Sequence, residues 1–564
     1  MTAPVHDRPV AHLIRHFLGG LFDLGFLSQA GADAFGRTII GVLAAILAFG
    51  LLLVRLYMGK YAALAGQASP ELYQRALAAD DAFVLGLPMW VVAFVTVLVS
   101  RSLVPDEIDF RVLMPLPITR RLVFGAKLAA LVLFVGLFTL ATHVALAPLF
   151  LVMSVGPLAT HALPVRAATW AVAGVGASSF AVLAVTAVTS ALTLGTPRAW
   201  LATVSTAVRS LLMGALALAL PVVAALPAQA GRLAEASPLM YLAPPAWFLG
   251  VERVLAGEAD PYFARLALVG AIALALAALV TAGGYAALYR RFDHVLLRPP
   301  GGAPGWAADL SRRRWRRRRH LLRPARTAIL AFTGATLRRS ALHQGLLVGV
   351  SACGASLVVA RLIASGAAGA RDAVTWVPFA LVFAACMAVK ATLVVPVEER
   401  ANWVFRITER HDTRADQLAA VTRTLRRLGV MLPLAALAPL VWWVTGTQAA
   451  IVLATAGVCG LFFVELLLLD WRRIPFTASY IPGKRPVPRT ILVGWLAFTT
   501  FTTVGAGLAR TNLERPWGAL VVGGVLLGIT WALGRRRVSR WREYPLAFDD
   551  PPPDELLRLR LIPD

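Results

Sequence analysis

Runs of about 20 apolar residues, long enough at 1.5 Å per residue to cross a hydrocarbon layer of roughly 30 Å, recur from one end of this chain to the other. Backbone amides inside lipid must be paired within the structure that spans it, and runs of this length pair internally as helices. The expected fold class is therefore all-α: a polytopic integral membrane protein of about twelve transmembrane helices. Composition agrees, since 58% of residues are apolar, 15% are charged and the mean hydropathy is +0.70, values foreign to a soluble domain. The net charge of +25 would suit a nucleic-acid binder. Here, however, the basic residues lie between apolar runs, where membrane topology places them, and no nucleic-acid partner is expected.

Cys353, Cys386 and Cys459 stand singly inside apolar runs, without the spacing of a zinc site or a disulfide framework, and read as packing residues. No cleavable signal peptide is apparent, because the first strong apolar run begins near Ile39.

Taken in order, the chain divides into two halves of similar layout. The first covers 1–297. It opens with an amphipathic helix within 8–30, on which Val10, Leu13, Ile14, Phe17, Leu18 and Leu21 share one face while His12, Arg15 and His16 take the other. Spans follow at about 39–57, 82–100, 122–153, 167–193, 201–226 and 263–289. The segment 229–262, with Pro244-Pro245, Tyr241, Trp247 and Phe248, suits external or re-entrant helices. A Pro/Gly-rich and then arginine-rich linker occupies 298–325, and its basic stretch 312–320 fits anionic lipid at the membrane surface. The second half, 326–537, begins with an interfacial segment holding Ile329, Phe332 and Leu337. It continues with spans at about 344–363, 374–395, 428–444, 448–469, 491–509 and 517–533, and a tail covers 538–564. Arginine counting puts both termini, the linker and the long polar insertions on the cytoplasmic side.

Two of those insertions could transmit force. The segment 101–121 carries Asp106, Glu107 and Asp109, then Phe110 and Leu113, a Pro115-Leu-Pro117 break, and Arg120 with Arg121. Asp106 can cap a short helix whose early acids suit its positive end, the prolines end it, and Thr119 can cap the next span. Its counterpart at 396–427 carries Glu398, Glu399, Trp403, Phe405 and Arg406, then a capping-box spacing at Thr413 and Asp416 before a helix with Leu418, Val421 and Leu425.

This layout resembles the type 2 ATP-binding-cassette exporter permeases, and EIDFRVLMPLPITRRLVFGAKL looks much like the segment on which those proteins dock their ATPase. The resemblance implies an interfacial elbow helix, six spans per half and a cytoplasmic coupling helix between the second and third spans. It casts Asp106, Glu107, Asp109, Phe110, Leu113, Arg120, Arg121, Glu398, Glu399, Trp403, Phe405 and Arg406 as docking residues. It further implies a bacterial cytoplasmic membrane location, separate ATPase subunits in two copies holding ATP and Mg, and a permease that is not itself an enzyme and has no cofactor of its own. The halves are unequal: the loop between Ala509 and Trp517 is too short for re-entrant helices. A GxxxxGK[ST] phosphate loop is absent from the chain; Gly483-Lys484-Arg485 lacks the upstream glycine and the hydroxyl residue. One chain can supply a whole pathway, with dimerisation left open.

Charges within spans are costly and mark pathway or structural sites. They are Arg209, which snorkels or lines a cavity, and Lys390 with Glu465, which lie at similar depth and can pair. His143 reads as hydrogen-bonded packing. Two other classes remain open. A secondary transporter also uses two six-span halves, but acids in mid-membrane are nearly absent here. A lipid-linked transferase would use Asp106, Glu107 and Asp109 to hold a divalent metal.

Overall fold

The computed structural model describes residues 9–22, 32–67, 69–100, 118–155, 158, 161–196, 198–296, 324–365, 370–396, 414–469, 471–477 and 487–543. Among them are helices and their turns and no strand, and ten stretches are long and apolar enough to cross a membrane. The chain is a multi-pass, all-helical membrane protein. It forms two compact units, Met1–Leu212 with Ala219–Pro304 and Met213–Leu218 with Gly305–Asp564.

The first unit begins with α1 (Pro9–Phe22), followed by α2 (Ala32–Gly66) and α3 (Pro70–Leu98). Pro70 sits in the first turn of α3, where its missing N–H costs nothing, and Glu71 places an acid at the positive helix end. Next come α4 (Arg120–Ser154), α5 (Leu163–Gly195) and α6 (Arg198–Ala224), of which Met213–Leu218 is grouped with the second unit. Thr119 caps α4 in extended geometry, its side chain accepting from the Leu122 amide. Short pieces then follow: a 3-10 turn Leu226–Gln229, α7 (Ala230–Ala234), a second 3-10 turn Pro238–Leu242 and α8 (Pro244–Leu255), before the long α9 (Pro261–Leu296).

Helix α3 lies at the centre of this unit and packs on α4, α5 and α8, while α5 packs on α9. Tyr73, Leu77, Leu85, Leu149, Phe248 and Leu266 form the buried centre. Exposed Leu, Val and Ile side chains line the outer faces of α4, α5 and α9, as lipid contact requires.

The second unit contains α10 (Pro324–Arg339), α11 (Ala341–Ser365), α12 (Ala370–Val394), α13 (Arg414–Leu425), a π turn Arg426–Met431, α14 (Leu432–Thr445), α15 (Ala449–Leu467), α16 (Val487–Glu514) and α17 (Pro516–Glu543). Helix α12 is central, packing on α11, α14, α15 and α16. Where the sequence suggests a short helix followed by a separate span, α13 continues through the π turn into α14. Cys386 and Cys459 are buried in the packing, whereas Cys353 is exposed on its helix.

Candidate functional site

The strongest concentration of charge in the first unit is a buried knot that joins α2, α3, α5 and α8. Its core is the pair Asp80 and Asp81, 0% and 1% exposed. The expected second span starts at residue 82, with these acids outside it; the structure instead begins α3 at Pro70, so they sit about 15 Å along a helix. What makes these acids tolerable inside a helix is partners brought from distant segments.

Asp80 is held from α2. Lys60 Nζ donates to both of its oxygens at 2.7 and 2.6 Å, and Tyr61 Oη donates to Oδ2 at 2.7 Å. Asp81 faces the other way. Arg166, near the start of α5, donates to Oδ1 and Oδ2 at 2.8 and 3.0 Å, and Arg253 of α8 donates to Oδ2 at 2.9 Å. Arg253 reaches onward to Glu258 Oε1 at 2.7 Å, and His161 Nε2 lies 3.6 Å from the same oxygen.

Local chain geometry sets up these contacts. Gly257, with φ +90°, ends α8 in the left-handed conformation that glycine adopts without strain, and the Glu258 amide returns to the Arg253 carbonyl at 3.0 Å. Asp260 then starts α9 by accepting from the Tyr262 amide at 2.8 Å. Trp247 Nε1 donates to the Tyr241 carbonyl at 2.9 Å and fastens α8 to the preceding 3-10 turn.

Glu252 is the member out of balance. It is buried, and its Oε2 has no hydrogen-bond partner. Burial pushes its carboxyl up to about 8, and the neighbouring Asp81 charge adds to the rise against the pull of Arg253 and Arg166. The knot therefore contains a carboxyl held well above the ordinary carboxylate range.

Of the expected site residues, Asp106, Glu107, Asp109, Phe110, Leu113, Glu398, Glu399, Trp403, Phe405 and Arg406 lie outside the described residues. Arg120 opens α4 and Arg121 is exposed beside it. The roots of 101–117 are well placed, however. Val99 at the end of α3, Val123, Ala126 and Phe134 of α4, and Phe17 of α1 form one buried apolar cluster, with Ile118 packed against it. The Lys127 ammonium stands 5.1 Å from the Phe17 ring centroid. Arg209 of α6 donates from Nε to Ser100 Oγ at 2.9 Å, so it is tied to the end of α3.

Lys390 and Glu465 were expected at one depth and able to pair. Glu465 is engaged by Arg426 Nη2 at 2.8 Å and Arg537 Nη2 at 2.9 Å, both from helices that the sequence alone does not bring to it. His143 joins its Nδ1 to the Thr139 carbonyl at 2.7 Å and its ring lies 5.4 Å from that of Trp170.

The sequence reading passed over Asp80, Asp81, Arg166, Arg253 and Glu252. A signal existed: Ser69-Pro70-Glu71 is a helix start, and a helix starting there carries Asp80-Asp81 in its interior. Comparison with family models, with curated proteins and with solved structures returns no match.

Proposed function

We propose that this chain is the membrane-spanning permease of an ATP-binding-cassette transporter, an exporter with about twelve spans in two halves. Separate ATPase subunits, two copies holding ATP and Mg, would dock on 101–121 and 396–427 from the cytoplasm of a bacterial cell, with both chain termini on that side. Supporting the reading most is a packing arrangement that occurs once in each unit.

In the first unit, α1, the end of α3 and the start of α4 meet in the cluster of Phe17, Val99 and Val123. In the second, Phe332 and Leu337 of α10, Val389 and Leu393 of α12, and Leu418 and Val421 of α13 meet likewise. The first insertion is thus flanked by a close-packed junction of three helices, and the second ends in one to which its own α13 contributes. Packed interiors move as blocks, so a push on the insertion would displace all three together. The Arg209–Ser100 bond extends the first junction to α6.

The deciding measurement is whether a neighbouring reading frame encodes a phosphate-loop ATPase and, with that protein co-expressed, its association with this chain in detergent. Replacing Phe110 and Leu113, or Trp403 and Phe405, with alanine is expected to weaken association and to lower ATP hydrolysis stimulated by the permease. Undiminished association in both pairs would remove these segments as docking sites.

A secondary transporter is the second reading, favoured by one observation: Glu252 is a buried carboxyl whose Oε2 has no hydrogen-bond partner. Uptake driven by a proton gradient without any ATPase, and abolished in Glu252→Gln, would establish it in place of the first.

A further inference from the structure

The second unit contains a cavity of about 580 Å³ between α10, α13, the π turn, α15 and α17. Among the described residues, Arg326, Arg423, Arg426, Arg427 and Arg537 line it, against a single acid, Glu465. Five guanidiniums do not lose their protons, so the space is cationic at every physiological pH.

Glu465 does not satisfy them. Arg537 is nearly enclosed, its side chain 5% exposed; Nη2 stands 2.9 Å from the carboxylate and donates to Thr422 Oγ1 at 3.0 Å. Its Nε and Nη1 are buried without an acceptor, and so is Arg426 Nε. Buried donors left unfilled are costly and are rare in native proteins. A tetrahedral oxyanion with several acceptor oxygens is the group that fills such forks.

The cavity also lies where three helices change character. Basic Arg423 to Arg427 precede the apolar α14, Glu465 comes at the end of the apolar α15, and the apolar run of α17 ends at Arg535 to Arg537. Met431 and Leu461 supply an apolar wall, and Met431 with Leu432 and Leu440 forms an exposed strip leading away along α14. The π turn Arg426–Met431 contributes both Arg426 and Arg427 on one side and Met431 on the other. Widened turns of this kind recur at binding sites.

We infer that this cavity binds a phosphate group, held by Arg537, Arg426, Arg423 and Arg427, and that its source is the headgroup of an acidic phospholipid whose chains lie along Met431 and Leu432. Phosphate recognition here requires no ATPase partner.

The full chain in non-ionic detergent is titrated with dioctanoyl phosphatidylglycerol, with dioctanoylglycerol and with inorganic phosphate, read by thermal midpoint and native mass spectrometry. Saturable binding of the phosphatidylglycerol that weakens with salt, and no stabilisation by dioctanoylglycerol, is expected. The exposed pair Arg423→Gln with Arg427→Gln should fold as the parent does and bind about tenfold or more weakly. Arg537→Gln should lose binding altogether; if it does not fold, the double variant carries the test. Equal stabilisation by inorganic phosphate, lost in the same variants, would uphold the phosphate site and replace lipid by a soluble source. Equal binding of dioctanoylglycerol, no binding of either phosphate compound, or affinity unchanged in the double variant would overturn the site.

Discussion

Arg166 grips Asp81 across 85 residues of sequence, its Nη2 within 2.8 and 3.0 Å of the two carboxylate oxygens, with both side chains buried. That contact pins the start of α5 to the interior of α3, and Arg253 closes it from α8. Removing one member of such a group leaves a buried charge without its counterpart, which costs far more than the loss of a surface pair.

Asp81→Ala is accordingly expected to cost about 3–5 kcal/mol, read as a fall in the thermal midpoint in detergent. The exposed Arg75–Glu71 pair is the control: it lies one helical turn apart at 2.5 Å, with side chains 46% and 74% exposed, and Arg75→Ala should change stability by less than about 0.5 kcal/mol. Equal effects would mean that the knot is solvated.

The Glu252 carboxyl sits up at about 8 against an ordinary value of 4.5. A group raised in the folded state contributes stability fully below its unfolded value and loses it as the pH climbs through the folded one. The thermal midpoint should fall between about pH 5 and about pH 8 and then level off as far as this group is concerned. Glu252→Gln, neutral throughout, should flatten that part of the profile, while an unchanged slope would assign the fall to other groups.

Gly250 of α8 allows close contact with α9. A methyl group there would stand 2.5 Å from the Phe263 carbonyl oxygen and 2.7 Å from the Ala267 amide nitrogen, backbone atoms that cannot swing aside. Gly250→Ala should therefore separate the two helices and cost about 1–3 kcal/mol, with faster proteolysis around residues 255–260. Wild-type stability in this variant would contradict the packing.

The anchoring of α1 separates into two contributions. Phe17→Ala removes a 5%-exposed ring from the junction and should cost about 3 kcal/mol or more. Lys127→Gln keeps the ring buried and removes the cation with all its contacts, and should cost less, about 0.5–2 kcal/mol. Comparing the two midpoints separates loss of the ring from loss of the charge.

Much of the membrane architecture was legible before any coordinates. The apolar runs announced the helices, the face of Leu13, Ile14, Phe17 and Leu18 announced α1, and Thr119 announced the start of α4. Helix limits were less legible at charged ends. Asp80 and Asp81 look like the edge of a loop when hydropathy alone sets the boundary, although the Ser69-Pro70-Glu71 start pointed the other way.

Glu465 illustrates the remaining difficulty. Depth along two spans made Lys390 a reasonable partner, yet depth says nothing of which helix faces which, and Arg426 and Arg537 reach the carboxylate from 39 and 72 residues away. By itself the sequence determined the solvent, the helices and their order, because apolar length and helical period are local properties that lipid reads segment by segment. Only the tertiary structure decided which charges meet, in the Asp81 knot and in the arginine cavity, because a buried ion is stabilised by whatever the packing of distant helices brings within about 3 Å.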